Sequence, residues 1–386
     1  MSNDKISEVR LRRITIALAL GLSLGVLLYL AVGNRENAAF FQGDFPAFYA
    51  AAEIVWTGRG EELYDYALQR ELENHHWPDF KGSFYIYPYP PFFALFLSPL
   101  ASYSPLQAKA IASVFLFVAL LGAMVLARRS SDFIRCHFLF ALVYLLSFVP
   151  LQMAIAGDQN TTLSILCFAL MYGAERKGLP FLTGMFASLL LYKPQFGGLV
   201  FIYLLVRGRR VELIGWGLGA LLLYLFGTLV LGLSWPSIWF ESATNFGNLN
   251  FTINNYNMIS LAGVMYWLSD LVMGSGTQGL PWAYLISAVL LMFSAWYVRR
   301  NPKYFVLVPV LTLWLSPQTL FYDVSIALFY FLCELRPYNN SDFNLLAGIW
   351  FYGIMAFIFR DLVTFPLFSV LLLGILYFHF PKLVRS

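Results

Sequence analysis

The chain has 386 residues, 59% of them hydrophobic and 12% charged, with a formal net charge of +4. That charged fraction is about half the roughly 25% usual in soluble domains, and apolar runs recur from Ile14 to Phe380, which excludes a soluble globular enzyme. The small positive balance lies at the ends of apolar runs, as cytoplasmic loop cations do, so it calls for no nucleic-acid partner.

In chain order, the first apolar run follows Arg10, Arg12 and Arg13 and is too long for a signal-peptide core, so it reads as a retained anchor. Spanning helices are expected at about 13–32, 104–127, 134–156, 160–175, 178–192, 196–207, 212–232, 281–298, 303–316, 319–335, 343–359 and 363–380. Each run is judged against the ~20 apolar residues that cross a bilayer core. This gives an all-α polytopic membrane protein of about twelve helices, a single integral membrane domain over 1–386. The first outer loop is 33–103 and the second 233–280.

With these spans, the clusters Arg128/Arg129/Arg135, Arg176/Lys177, Arg207/Arg209/Arg210, Arg299/Arg300/Lys303, Arg336 and Lys382/Arg385 share one side. With Lys5, Arg10, Arg12 and Arg13 they make 18 of the 25 basic residues, which assigns that side and both termini to the cytoplasm. Two further apolar stretches, at 89–103 and 257–274, are read as helices in the outer interface, because counting them as crossings moves several cationic clusters outside. Cys136, Cys167 and Cys333 all lie in apolar segments and read as buried small hydrophobes.

The unusual polar residues gather on the opposite, outer face. They are Asp44, then "YIYPYPP" at 85–91, "GDQN" at 157–160, "YKPQ" at 192–195, "NNYN" at 254–257 and "SPQTLFYD" at 316–323. Ionisable groups at membrane depth are costly and point to function. The first outer loop is acid-rich. "DFPAFYAAAEIVWTG" reads as a helix with Asp44 as N-cap, Pro46 in the first turn and Gly58 as the stop, and "EELYDYALQRELENHHW" as a second helix. An N-cap Asp bonded to helix N–H groups would have a lowered pKa.

No phosphate-cradling glycine loop, dinucleotide fingerprint or nucleophile elbow is present. A site outside the cytoplasm fits a lipid-linked sugar donor: a carboxylate to take a proton, a cation for the phosphate, amides and aromatics for the sugar. On the residues alone Asp44 is a cap or a base, and Lys193 a snorkelling lysine or a phosphate ligand. Asp158 and Asp323 are structural acids or substrate ligands. Gln159, Asn160, Gln195, Gln318, Tyr87, Asn257 and Tyr322 are packing groups or sugar contacts. His75 and His76 are adjacent on a helix and point apart, a poor metal site; no metal and no cofactor are expected. A flippase of lipid-linked saccharide and a non-catalytic assembly subunit remain open as other classes.

The ordered set "GDFPAFYAAAEIVWTGRGEELYD", "YPYPPFFALFLSPLA", "GDQNTTLSIL", "LLLYKPQFGGLVFIYLLVRGRR" and "SPQTLFYDVSI" resembles glycosyltransferase family 87. That family includes the mycobacterial polyprenyl-phosphate-mannose-dependent mannosyltransferase of phosphatidylinositol mannoside synthesis. The resemblance implies a GT-C fold, a polyprenyl-phosphate sugar donor, a lipid or glycan acceptor, inversion at the anomeric carbon and a catalytic Asp that maps to Asp44. It places the enzyme in a bacterial inner or plasma membrane. Some members carry histidine where this chain has Gln318 to Asp323, so no histidine role carries over.

Overall fold

The computed structural model describes residues 43–78, 84–335 and 340–358. The expected spans at 13–32 and 363–380 lie outside the described residues. Within them the chain is helical; its one β-type pairing is an isolated bridge between Met258 and Leu320.

A layer of short helices comes first. Helix α1 (Phe45–Trp56) is buried on almost every side, from Phe45 through Ala52 to Ile54. It ends where Thr57 sends its N–H and hydroxyl back to the Glu53 carbonyl and Gly58 turns the chain at φ +77°. The second expected helix starts late. Residues 60–62 make a 3₁₀ turn, and Asp65 then caps α2 (Tyr66–His76) by accepting from the N–H groups of Ala67 and Leu68. An extended stretch leads to α3 (Pro91–Leu97), a short helix packed on α1.

The bundle begins with α4 (Pro105–Arg128), started by proline and ending in arginine. The single span expected at 134–156 is broken into α5 (Asp132–Cys136), α6 (Phe138–Leu146) and α7 (Val149–Ala156). The last two meet at 67°. Pro150, in the first turn of α7, has no N–H for the helical ladder, and the Ser147 hydroxyl bonds back to the Tyr144 carbonyl at 2.8 Å. The bend aims the end of α7 at residues 157–160. Next come α8 (Thr161–Arg176), α9 (Pro180–Ser188), α10 (Pro194–Arg207) and α11 (Arg210–Leu231). The segment 233–280 carries α12 (Trp235–Asn254) and α13 (Leu261–Met273). The described chain closes with α14 (Leu280–Arg300), α15 (Val308–Leu315), α16 (Val324–Glu334) and α17 (Asn340–Ile358).

Among the described residues three helices are long and apolar enough to cross a membrane alone, and the bent pair α6–α7 makes a fourth. The stretches read as spans at 178–192, 196–207 and 303–316 form shorter apolar helices, broken by Pro and 3₁₀ turns, as do the two read as interfacial. Cys167 and Cys333 are buried as expected, but Cys136 is exposed: it ends the short α5 instead of lying inside a span.

Packing runs α4 on α8, α8 on α9, and α9 on α11, while α16 lies against α7 and α8. The α9–α11 contact depends on glycine. A Cβ on Gly184 would sit 1.9 Å from the Glu212 carbonyl oxygen, and one on Gly215 would sit 2.1 Å from that of Phe181. Small residues let two backbones meet where lipid offers no hydrophobic drive to associate. At the cationic end, Arg207 is buried between Glu175 at 2.6 Å and the Phe305 ring at 4.1 Å, and Arg209 reaches Glu212 at 3.0 Å. These acids tie the arginine-rich helix ends together.

The glycine contact predicts an unusual sign. In an exposed helix Gly→Ala stabilises by about 1 kcal/mol. Gly215→Ala instead forces carbon onto a backbone oxygen and is expected to cost about 1–3 kcal/mol net. Gly217→Ala, on the same helix with open space around it, is expected to keep or raise Tm. Thermal unfolding of the two variants in one detergent separates the cases.

Candidate active site

The site is built on the turn that follows α7. There the N–H groups of Gly157 and Gln159 bond back to the carbonyls of Met153 (2.9 Å) and Ala154 (2.8 Å). Asp158 adopts φ +49°, a left-handed conformation that Asp tolerates better than bulkier residues. Two groups one turn apart on α4 hold its carboxylate: the Ser113 hydroxyl donates to Oδ1 at 2.7 Å, and Lys109 Nζ lies 2.9 Å from Oδ2.

The start of α1 docks on this turn. The Asp44 N–H donates to the Gly157 carbonyl at 3.1 Å. Gly43 (φ +47°) passes so close that a Cβ would lie 1.9 Å from the same oxygen. Asp44 occupies the N-cap position, as the sequence predicts, but its backbone is already helical and its side chain bonds no helix N–H. The carboxylate turns instead towards Gln159 and Lys193, with Asp158 and Asp323 within Coulomb range. The lowered pKa expected of a capping Asp is therefore overturned. Although the residue is only half-buried, its carboxyl is poorly solvated, and desolvation outweighs the Gln159 hydrogen bond and the Lys193 charge. The pKa is pushed up to about 6.

Lys193, just before α10, is 5% exposed and bonds Asp323 Oδ1 at 3.1 Å, with the Phe196 ring beneath it at 5.3 Å. Asp323 Oδ1 also accepts the Thr161 hydroxyl at 2.8 Å. The packing of α7 on the turn 321–323 brings that acid in. Lys109 keeps 27% of its side chain exposed and is the more accessible of the two lysines.

Asn160 is 2% exposed, and neither its Oδ1 nor its Nδ2 makes a protein hydrogen bond of good geometry, although the Tyr89 hydroxyl is close by. Its own carbonyl is held by the Tyr192 hydroxyl at 3.0 Å. Asn160 and Asp158 form the polar end of a cavity of about 380 Å³. The rest of that cavity is apolar, walled by Phe45 and Phe48 of α1, Phe93 and Phe96 of α3, and Phe115 of α4.

The structure thus gathers Asp44, Asp158, Gln159, Asn160, Lys193 and Asp323, with Tyr322 near Asp44 and Asp323. It sets others apart. Tyr87 is fully buried, its N–H bonded to Gln69 and its hydroxyl to the Pro90 carbonyl. Gln318 bonds Asn250 and the Gly247 carbonyl, pinning α12. Asn257 lies in the 255–257 turn and Gln195 in the first turn of α10, both half-buried. His76 pairs with Glu53 at 2.6 Å. Ser113 and Thr161 were missed by the sequence reading, whereas Tyr89 belongs to the 85–91 stretch it singled out. A polar residue four positions after Lys109 in an otherwise apolar helix was the available signal for Ser113.

Fold and site together define a helical membrane protein with a buried carboxylate cluster at the end of an apolar cavity. The chain belongs to glycosyltransferase family 87: the family model matches residues 87–317, more than half its length. It is therefore a membrane glycosyltransferase. The match contains the 157–160 turn, Lys109 and Lys193, while Asp44 lies before it and Asp323 after it. No curated protein and no solved structure matches the chain.

Two outcomes are expected if Asp44 acts as a general base. A base with a pKa of about 6 is ionised above that pH, so log kcat/KM should rise with unit slope up to about pH 6 and then level off. Gly43→Ala should lower turnover at least tenfold at every pH by displacing Asp44 from Gly157. Both are read from pH–rate profiles.

Proposed function

We propose that the protein transfers a hexose, mannose being the first candidate, from a polyprenyl-phosphate donor to a hydroxyl of a lipid or glycan acceptor. The reaction takes place at the outer face of a bacterial inner or plasma membrane, with both termini cytoplasmic and a GT-C arrangement of helices. The observation that carries this reading is the apolar cavity that ends on Asp158 and Asn160 beside Asp44. A lipid tail fits the apolar part and a sugar-phosphate the polar end.

In the reaction Asp44 accepts the proton of the acceptor hydroxyl. The oxygen forms its bond to the anomeric carbon as the bond from that carbon to the phosphate oxygen breaks, and the electron pair leaves on the lipid phosphate. Attack opposite the leaving group inverts the configuration. Lys109 and Lys193 are the cations available to the departing phosphate, Lys193 after loosening from Asp323. Asn160 and Gln159 offer amides to the sugar.

The test is transfer of radiolabelled hexose from synthetic polyprenyl-phosphate donors by the purified full chain, over a panel of glycolipid acceptors. Asp44→Asn should lose about 10²–10⁴-fold in rate, the range for removal of a general base, and keep donor binding. Leu163→Trp, which fills the apolar cavity, should raise the donor KM with less effect on kcat. Full activity in Asp44→Asn would remove the proposed base. Movement of lipid-linked sugar across liposomes without turnover would make the protein a flippase.

A further inference from the structure

Helix α2 holds the extended stretch 84–90 through two side chains one turn apart. The Gln69 Oε1 accepts the Tyr87 N–H at 3.1 Å, and the Glu73 Oε2 accepts the Tyr85 N–H at 3.1 Å. Both residues are buried, Gln69 at 0% exposure and Glu73 at 2%. Gln69 uses its other end as well, donating to the Leu63 carbonyl at 2.7 Å. Glu73 does not: its Oε1 is buried with no hydrogen-bond partner. Gln69 demonstrates that an amide suffices to hold this strand. An acid at position 73 with one oxygen unmet is costly unless something else meets it.

The surroundings point to what that is. Arg70, whose charge acts on Glu73, has its guanidinium over the Phe84 ring at 4.8 Å. Asp44 is within Coulomb range of Glu73, and Tyr85 feels both carboxylates. Tyr85 is thus tied to the unmet acid through its backbone N–H and lies within electrostatic reach of the proposed base. None of Glu73, Tyr85 and Arg70 lines the apolar cavity that we assign to the donor tail. Desolvation pushes the Glu73 pKa up to about 8, so at neutral pH it carries a proton and Oε1 can donate.

We propose that Glu73 and Tyr85 form the acceptor side of the site, binding hydroxyl groups of a polyhydroxylated headgroup next to Asp44. This rests on the glycosyl-transfer reading above and names the side of Asp44 from which the acceptor comes. The arrangement gives a hydroxylated ring a donor at Glu73 and a phenol at Tyr85, while Asp44 faces the hydroxyl that reacts.

The test uses the full chain in nanodiscs and saturation-transfer NMR with methyl α-mannoside, methyl β-glucoside, methyl β-galactoside and myo-inositol as probes. The wild type should saturate at least one of them. Glu73→Gln keeps both the bond to Tyr85 and a donor, and should bind that probe within about threefold. Glu73→Met and Tyr85→Phe should each weaken it at least fivefold; Tyr85→Phe leaves the backbone bond to Glu73 untouched. The rise in Tm caused by polyprenyl phosphate should be equal in all four proteins. Absence of a sugar signal in the wild type, or equal signals in all variants, overturns the assignment. A parallel loss of the polyprenyl-phosphate effect in Tyr85→Phe also overturns it, since that marks a general defect. Failure of polyprenyl phosphate to stabilise even the wild type counts against the donor reading instead, so the two failures are told apart.

Discussion

The polar end of this molecule is assembled around one backbone hydrogen bond, from the Asp44 N–H to the Gly157 carbonyl. It joins the first outer loop to the turn between α7 and α8. Gly43 permits the approach, since any side chain there would occupy the space of the accepting oxygen. The turn is itself the product of a bend, because Pro150 and Ser147 stop α6 and redirect α7. A break in one helix and the missing Cβ of one residue thus bring a carboxylate, an amide and a lysine from three parts of the chain to one place.

Electrostatics then separates the three aspartates. Asp158 is satisfied by Lys109 and Ser113, and Asp323 by Lys193 and Thr161. Buried ion pairs of this kind add little net stability, but losing one partner is expensive, which holds both members in place. Asp44 has only a hydrogen bond from Gln159 and a share of the Lys193 charge. It is the acid whose negative charge is least compensated, and so the one best able to take a proton. Environment, not residue type, assigns the roles.

Much of this was legible in the sequence. Apolar run lengths located most of the longer helices, Pro46 and Gly58 bounded α1, and the distribution of cations put Asp44, Asp158, Lys193 and Asp323 together. The Asp44 cap was misread because its position at the start of α1 fixes neither its backbone, which is already helical, nor where its side chain turns. Pro150 was visible, yet the sequence does not say whether a proline kinks a helix slightly or breaks it through 67°. Gln318 looked like Gln159 on paper. Only the packing of α12 shows that its amide is occupied by Asn250 and Gly247. Glu73 was hidden among the many acids of the outer loop, because burial of a single carboxyl oxygen leaves no mark in a sequence.

The apolar cavity has a thermodynamic consequence of its own. Phe96, Ile111 and Phe115 line it and are also exposed on the helix surface, which in a membrane protein means contact with lipid. A hydrocarbon tail that moves from the bilayer into such a cavity leaves one oily environment for another. The hydrophobic effect that drives ligand burial from water has nothing to act on there, since acyl chains are as apolar as leucine. What remains is shape: dispersion contacts with the fixed walls, set against the entropy of a mobile chain. For the proposed lipid-linked donor, affinity is then concentrated at the polar end, and the relevant concentration is its mole fraction in the membrane, not its molarity in the sample. Dilution with inert lipid would slow an enzyme of this design as effectively as removing substrate.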